Sequence, residues 1–181
     1  MRTMIAGLVC LLISACAAGA GVGEPRDVST LVSTTGPNAC PVTVPPQPGL
    51  VPPDPYPSKP PFEQVWYGTA ELWTILDANG AVWRDLPVGK DGSVGDKTLW
   101  FSERFSTAVN EDFTGNADIT ITAERLDGPA RTVVAEGGVP SFNRGIKNFM
   151  LVGLVLPKSG CWEVTASYRG AELAYVLQVD G

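Results

Sequence analysis

Ala117-Asp118-Ile119-Thr120-Ile121-Thr122-Ala123-Glu124-Arg125-Leu126 alternates apolar and polar side chains residue by residue. An extended backbone sends successive side chains to opposite faces, so Ile119, Ile121 and Ala123 share one face and Asp118, Thr120, Thr122 and Glu124 the other. That is the pattern of a half-buried strand. Downstream, Asp127-Gly128-Pro129 predicts a turn into a strand over residues 131–136. Residues 149–156 are apolar on both faces and predict a central strand. Pro157-Lys158-Ser159-Gly160 turns into residues 161–168, and Arg169-Gly170-Ala171 turns into residues 172–179. Upstream, residues 65–76 and 81–86 flank Asp77-Ala78-Asn79-Gly80, which reads as a hairpin turn. A Gly/Asp loop over residues 88–96 precedes a strand over 98–105. No amphipathic helix of convincing length interrupts this series. About eight short strands over residues 62–181 predict an all-β domain, an antiparallel β-sandwich.

Composition agrees. Gly (20) and Pro (16) are frequent for 181 residues, as a turn-rich β protein requires, and the length suits one domain. The formal charge is −6. An acidic surface argues against nucleic acid and against electrostatic docking on anionic lipid. The chain contains no histidine. That excludes Ser–His–Asp and Cys–His catalysis, imidazole zinc and copper sites, and histidine pH sensing.

The chain opens with Met1-Arg2, an apolar run from Met4 to Leu12, and small residues after it. This reads as a secretory signal over residues 1–15, too short and too soon followed by polar sequence to span a membrane. Its end, Ile13-Ser14-Ala15-Cys16, resembles the lipobox of bacterial lipoproteins. The resemblance implies that the Cys16 thiol takes a diacylglyceryl group and becomes the mature N-terminus. Two or more acyl chains make a lasting membrane anchor. Ala17 rather than Asp follows Cys16, which leans toward the outer membrane in a host that has one. The expected location is therefore extracytoplasmic, lipid-anchored to the cell membrane or outer membrane.

Residues 16–39 read as a flexible tether, spanning on the order of 25–30 Å. Residues 40–61 hold ten prolines and should form an extended polyproline-like segment. With Cys10 removed and Cys16 lipidated, Cys40 and Cys161 remain in an oxidising compartment and are expected to pair. Two free thiols, or a bond to another chain, are the alternatives. A Cys40–Cys161 bond would pin the proline segment along the surface of the domain.

Leu154-Val155-Leu156-Pro157-Lys158-Ser159-Gly160-Cys161-Trp162-Glu163-Val164-Thr165 resembles the final hairpin of Ig-like domains. The chain also resembles, over residues 40–181, a set of uncharacterised bacterial exported proteins. The shared elements are Cys-Pro-Val-Thr (Cys40 to Thr43), Leu-Trp-Thr (Leu72 to Thr74) and Gly-Cys-Trp-Glu-Val-Thr (Gly160 to Thr165). The resemblance implies pairing of the two cysteines and brings no activity with it.

Chemistry-bearing motifs are few. Asn110, Glu111, Asp112, Asn116 and Asp118 make an acidic loop without EF-hand spacing, which reads as a solvated turn rather than a calcium site. Lys158-Ser159-Gly160 is similar to an element of penicillin-binding enzymes, but the Ser-x-x-Lys partner is missing, so it reads as a turn. No catalytic residue, metal site or cofactor is expected. If Leu99, Phe101 and Phe105 face the core, Trp100 faces outward with Ser102 and Arg104, as a candidate platform for a sugar ring or a protein partner. Cover by a loop or by the proline segment is the competing expectation. Trp66, Tyr67, Trp73, Trp83 and Trp162 read as core or proline-packing aromatics. The sequence thus favours a non-enzymatic binding or structural module of the cell envelope, with an unknown envelope protein or glycan as partner. A glycan- or wall-binding domain using exposed aromatics is second. A carboxylate-dependent hydrolase is third.

Overall fold

A computed structural model describes residues 39–61, 63–106 and 115–181. Residues 1–38, with Cys16, the signal and most of the tether, lie outside the described residues. So do Asn110, Glu111 and Asp112 of the acidic loop.

The all-β expectation holds. The strands are β1 (Gln64–Gly68), β2 (Trp73–Asp77), β3 (Val82–Trp83), β4 (Val94–Phe101), β5 (Ala117–Arg125), β6 (Val133–Asn143), β7 (Lys147–Leu156), β8 (Gly160–Tyr168) and β9 (Ala171–Val179). They form one continuous sheet in the order β1-β2-β4-β7-β6-β5-β8-β9-β3, nine described strands where the sequence suggested about eight. Every pairing is antiparallel except β3 with β9, which is parallel. The sheet curls so that its two halves, instead of forming two separate sheets, enclose one core. β6 is the shared member: its first half pairs with β5 and its second half with β7. The handover falls at Gly137-Gly138, where Gly137 has φ 76° and the β5–β6 register slips between Ala117 and Thr120. A bulge of this kind bends a strand sharply. Gly138 lies against the core at the bend, where a Cβ would sit 3.0 Å from Met150 Cβ.

The alternating segment behaves as the sequence requires. Ile119, Ile121 and Ala123 of β5 are buried, between Val164 and Ala166 of β8 on one side and the facing half, with Met150, Val152 and Leu154 of β7, across the interior. Full burial of each large aliphatic side chain contributes about 1.5–3 kcal/mol. The β8–β9 hairpin also forms where expected. Arg169 (φ 48°) and Gly170 (φ 85°) supply the two left-handed positions of a two-residue turn.

Two expected hairpins are instead crossings. Asp77-Ala78-Asn79-Gly80 does turn: Asn79 N–H donates to Asp77 Oδ1 at 2.7 Å and Gly80 N–H to Asp77 O at 3.1 Å. It carries the chain from β2 in one half to β3 beside β9 in the other. Likewise residues 157–160 link β7 to β8, which do not pair, so the stretch likened to an Ig-like final hairpin is also a crossing. Residues 65–76 are not one strand but the β1–β2 hairpin, turned at Thr69, whose N–H donates to Leu72 O at 3.0 Å.

Cys40 and Cys161 are disulfide-bonded, Cα–Cα 5.4 Å, across 121 positions of sequence. From that staple the proline segment runs along the domain. Thr43 N–H donates to Val176 O at 3.0 Å, and Val176 N–H to Thr43 Oγ1 at 2.8 Å. Further on, Leu50 N–H donates to Trp66 O and the Trp66 indole N–H to Pro57 O at 2.9 Å. Tyr56 closes a second apolar cluster with Trp66, Trp73, Phe101 and Ile146 on the outer face of β1, β2, β4 and β7. Tyr56 meets Trp73 edge-on at 5.0 Å, and its hydroxyl donates to Asn148 O. This half of the sheet is therefore covered on both faces.

Candidate functional site

The double cover decides the fate of Trp100 and Arg104. Leu99 and Phe101 do face inward, but into the outer cluster beneath the proline segment. Trp100, on the opposite face of β4, points into the main core and is fully buried. Its indole N–H donates to Thr98 Oγ1 at 2.8 Å, and its ring lies 6.1 Å from that of Tyr175. The expected surface platform is thus corrected: alternation places a polar face outward only when one side of a sheet meets water. It is the facing half of the sheet that covers Trp100, neither a loop nor the proline segment. Arg104 is exposed but committed. It donates to Glu71 Oε1 at 2.5 Å and to Arg169 O at 3.0 Å, while Arg169 donates back to Arg104 O at 2.8 Å. These bonds clasp the end of β4 to the β8–β9 turn. Trp100 and Arg104 form no joint site, and glycan recognition loses the one aromatic platform the sequence suggested.

The structure opens a different site. β2 and β4 pair only at Trp73 with Phe101 and Thr74 with Trp100. Beyond that point the strands part, and Thr74 Oγ1 donates to Leu99 O at 2.7 Å in place of the ladder. β2 diverges because it must carry the chain across to β3. The gap is a cleft of about 670 Å³, the size of a small-molecule pocket. Leu76, Trp83, Leu86, Asp96, Tyr175 and Leu177 are among the residues that line it, with Asp77, Arg84 and Lys97 also at its walls.

Asp96 and Tyr175 give the cleft its chemistry. Asp96 is in phase with Val94, Thr98 and Trp100 on β4, so it is an exposed carboxylate on the core-facing side of a strand. Its Oδ1 accepts the Lys97 N–H at 2.7 Å. It forms no ion pair among the described residues, whereas Arg84 pairs with Asp180 at 3.3 Å. Tyr175 of β9 is 4% exposed, and its hydroxyl makes no hydrogen bond among the described residues. Burial pushes that hydroxyl well above the usual tyrosine range, and the nearby Asp96 carboxylate pushes it further the same way. It stays protonated, able to donate and to accept.

Sequence reasoning missed both residues. Asp96 lies in the Gly/Asp stretch that reads as a loop, although its spacing of two from Thr98 and four from Trp100 carries the signal of β4. Tyr175 had no signal of its own, because the cleft arises from strand divergence. A second hollow of about 340 Å³ lies across β3, beside Cys40, Val42 and Gln178. No family model, curated protein or solved structure matches this chain.

Proposed function

We propose that this chain is a lipid-anchored extracytoplasmic protein, held by Cys16, whose curled β domain serves the cell envelope as a non-enzymatic binding or structural module. The observation that carries the reading is the Cys40–Cys161 disulfide. Structural disulfides persist in oxidising compartments, which agrees with the signal-like start and the Ile13-Ser14-Ala15-Cys16 lipobox. The staple also has a mechanical consequence. Residues 40–61 are bound to the domain, so only residues 16–39 are left to act as tether, which keeps the module within a few tens of ångströms of the membrane. The cleft between β2 and β4 supports binding over a purely structural role. Absence of histidine from the sequence supports a non-enzymatic reading against the commonest hydrolytic machineries.

The test is fractionation of cells making the chain or its Cys16→Ser variant, with a labelled fatty acid in the medium. The unaltered chain is expected in the membrane fraction carrying label, and the variant in the soluble extracytoplasmic fraction without it. A variant that stays membrane-bound overturns the anchor.

A further inference from the structure

We propose that the cleft between β2 and β4 binds a small organic ammonium compound, a protonated amine carried on an apolar body. The inference rests on the reading of the domain as a binding module and gives that module a ligand class. Asp96 brings a carboxylate with no neutralising partner to the core-facing wall. Tyr175 brings a hydroxyl without a hydrogen bond among the described residues to the lining of the same cleft. An ammonium group carries up to three N–H donors, enough for a carboxylate and a tyrosine hydroxyl in one cleft. Trp83 and Tyr175 add aromatic rings, whose negative faces attract cations. Leu76 and Leu177 offer apolar surface to the remainder of the ligand.

The charges around the opening agree. Arg84 is engaged with Asp180, and Lys97, though at the wall of the cleft, leaves β4 on the face opposite Asp96 and makes no ion pair with it. An anion entering the cleft would meet the like charge of Asp96. A neutral ligand would desolvate Asp96 without compensating it.

Calorimetric titration of the full chain with 2-phenylethylamine tests the proposal, with 2-phenylethanol and 3-phenylpropanoate as neutral and anionic counterparts. The amine is expected to bind about tenfold or more tighter than the alcohol, and the acid not to bind. Asp96→Asn is expected to weaken the amine by a similar factor, and Tyr175→Phe by several-fold, with near-ultraviolet circular dichroism unchanged in both. An amine no tighter than the alcohol overturns the proposal, as does an Asp96→Asn variant that binds like the unaltered chain. If the alcohol or the acid binds instead, the ammonium assignment falls and the module reading stands. If none of the three binds, the ammonium assignment falls, and the Cys16→Ser fractionation decides the anchored-module reading on its own.

Discussion

Replacing Trp100 by Ala separates a core residue from a surface platform. Trp100 has no exposed surface and packs between β4 and β9 near Tyr175. Truncating a buried tryptophan to alanine costs about 3–5 kcal/mol, from lost transfer energy and the cavity left behind. The lost indole hydrogen bond adds little. Thr98 Oγ1 still donates to Val152 O at 3.0 Å, so no donor is stranded. Against a typical total of about 5–15 kcal/mol, this is a large fraction of stability. The ratio of folded to unfolded chain should drop by roughly two to three and a half orders of magnitude. Urea unfolding, followed by fluorescence of the remaining tryptophans and by circular dichroism, measures it. The midpoint should fall with little change in slope. A loss below about 1 kcal/mol would place Trp100 at the surface and refute the packing described for β4.

Three other outcomes follow from the same contacts. Replacing Cys40 and Cys161 together by Ser opens a loop of 121 positions. The chain-entropy model sets the loss at about 4–5 kcal/mol and typical measurements at about 2–4, readable as a lower urea midpoint that reductant no longer shifts. Gly138→Ala forces a Cβ to within 3.0 Å of Met150 Cβ, so thermal unfolding should show a cost of about 1–3 kcal/mol where an exposed glycine would show none. Burial pushes the Tyr56 hydroxyl up to about 12 from an ordinary 10. The unfolded chain therefore loses this proton first, and the stability due to Tyr56 is intact below pH 10 and lost as pH rises toward 12. Tyr56→Phe should flatten the fall in stability over that range, and an unchanged slope would mean that Tyr56 is not buried under the proline segment.

What the sequence made legible was local. Ile119, Ile121 and Ala123 announced their strand because alternation reports which face is covered. Arg169-Gly170 announced a hairpin because left-handed backbone is needed at both positions. The ten prolines after Cys40 announced an extended segment, and the disulfide fixed where it must lie. Pairing partners were not legible. The Asp77 to Gly80 and Pro157 to Gly160 turns look the same in sequence whether the next strand returns beside its predecessor or crosses to the facing half. Trp100 was misplaced for a related reason. One-sided burial is the default for an antiparallel strand, and the cover supplied by Tyr56 lies about 45 positions upstream in sequence. The cleft was the least legible element, since it exists where two strands stop pairing.

Intact mass of the native protein is the sharpest test of the proposed Cys16 anchor together with the Cys40–Cys161 staple. Spectra before and after reduction and alkylation should show a chain beginning at Cys16 with added acyl groups, and Cys40 and Cys161 alkylated only after reduction. A chain without acyl groups, whose thiols react before reduction, would contradict both the anchor and the staple.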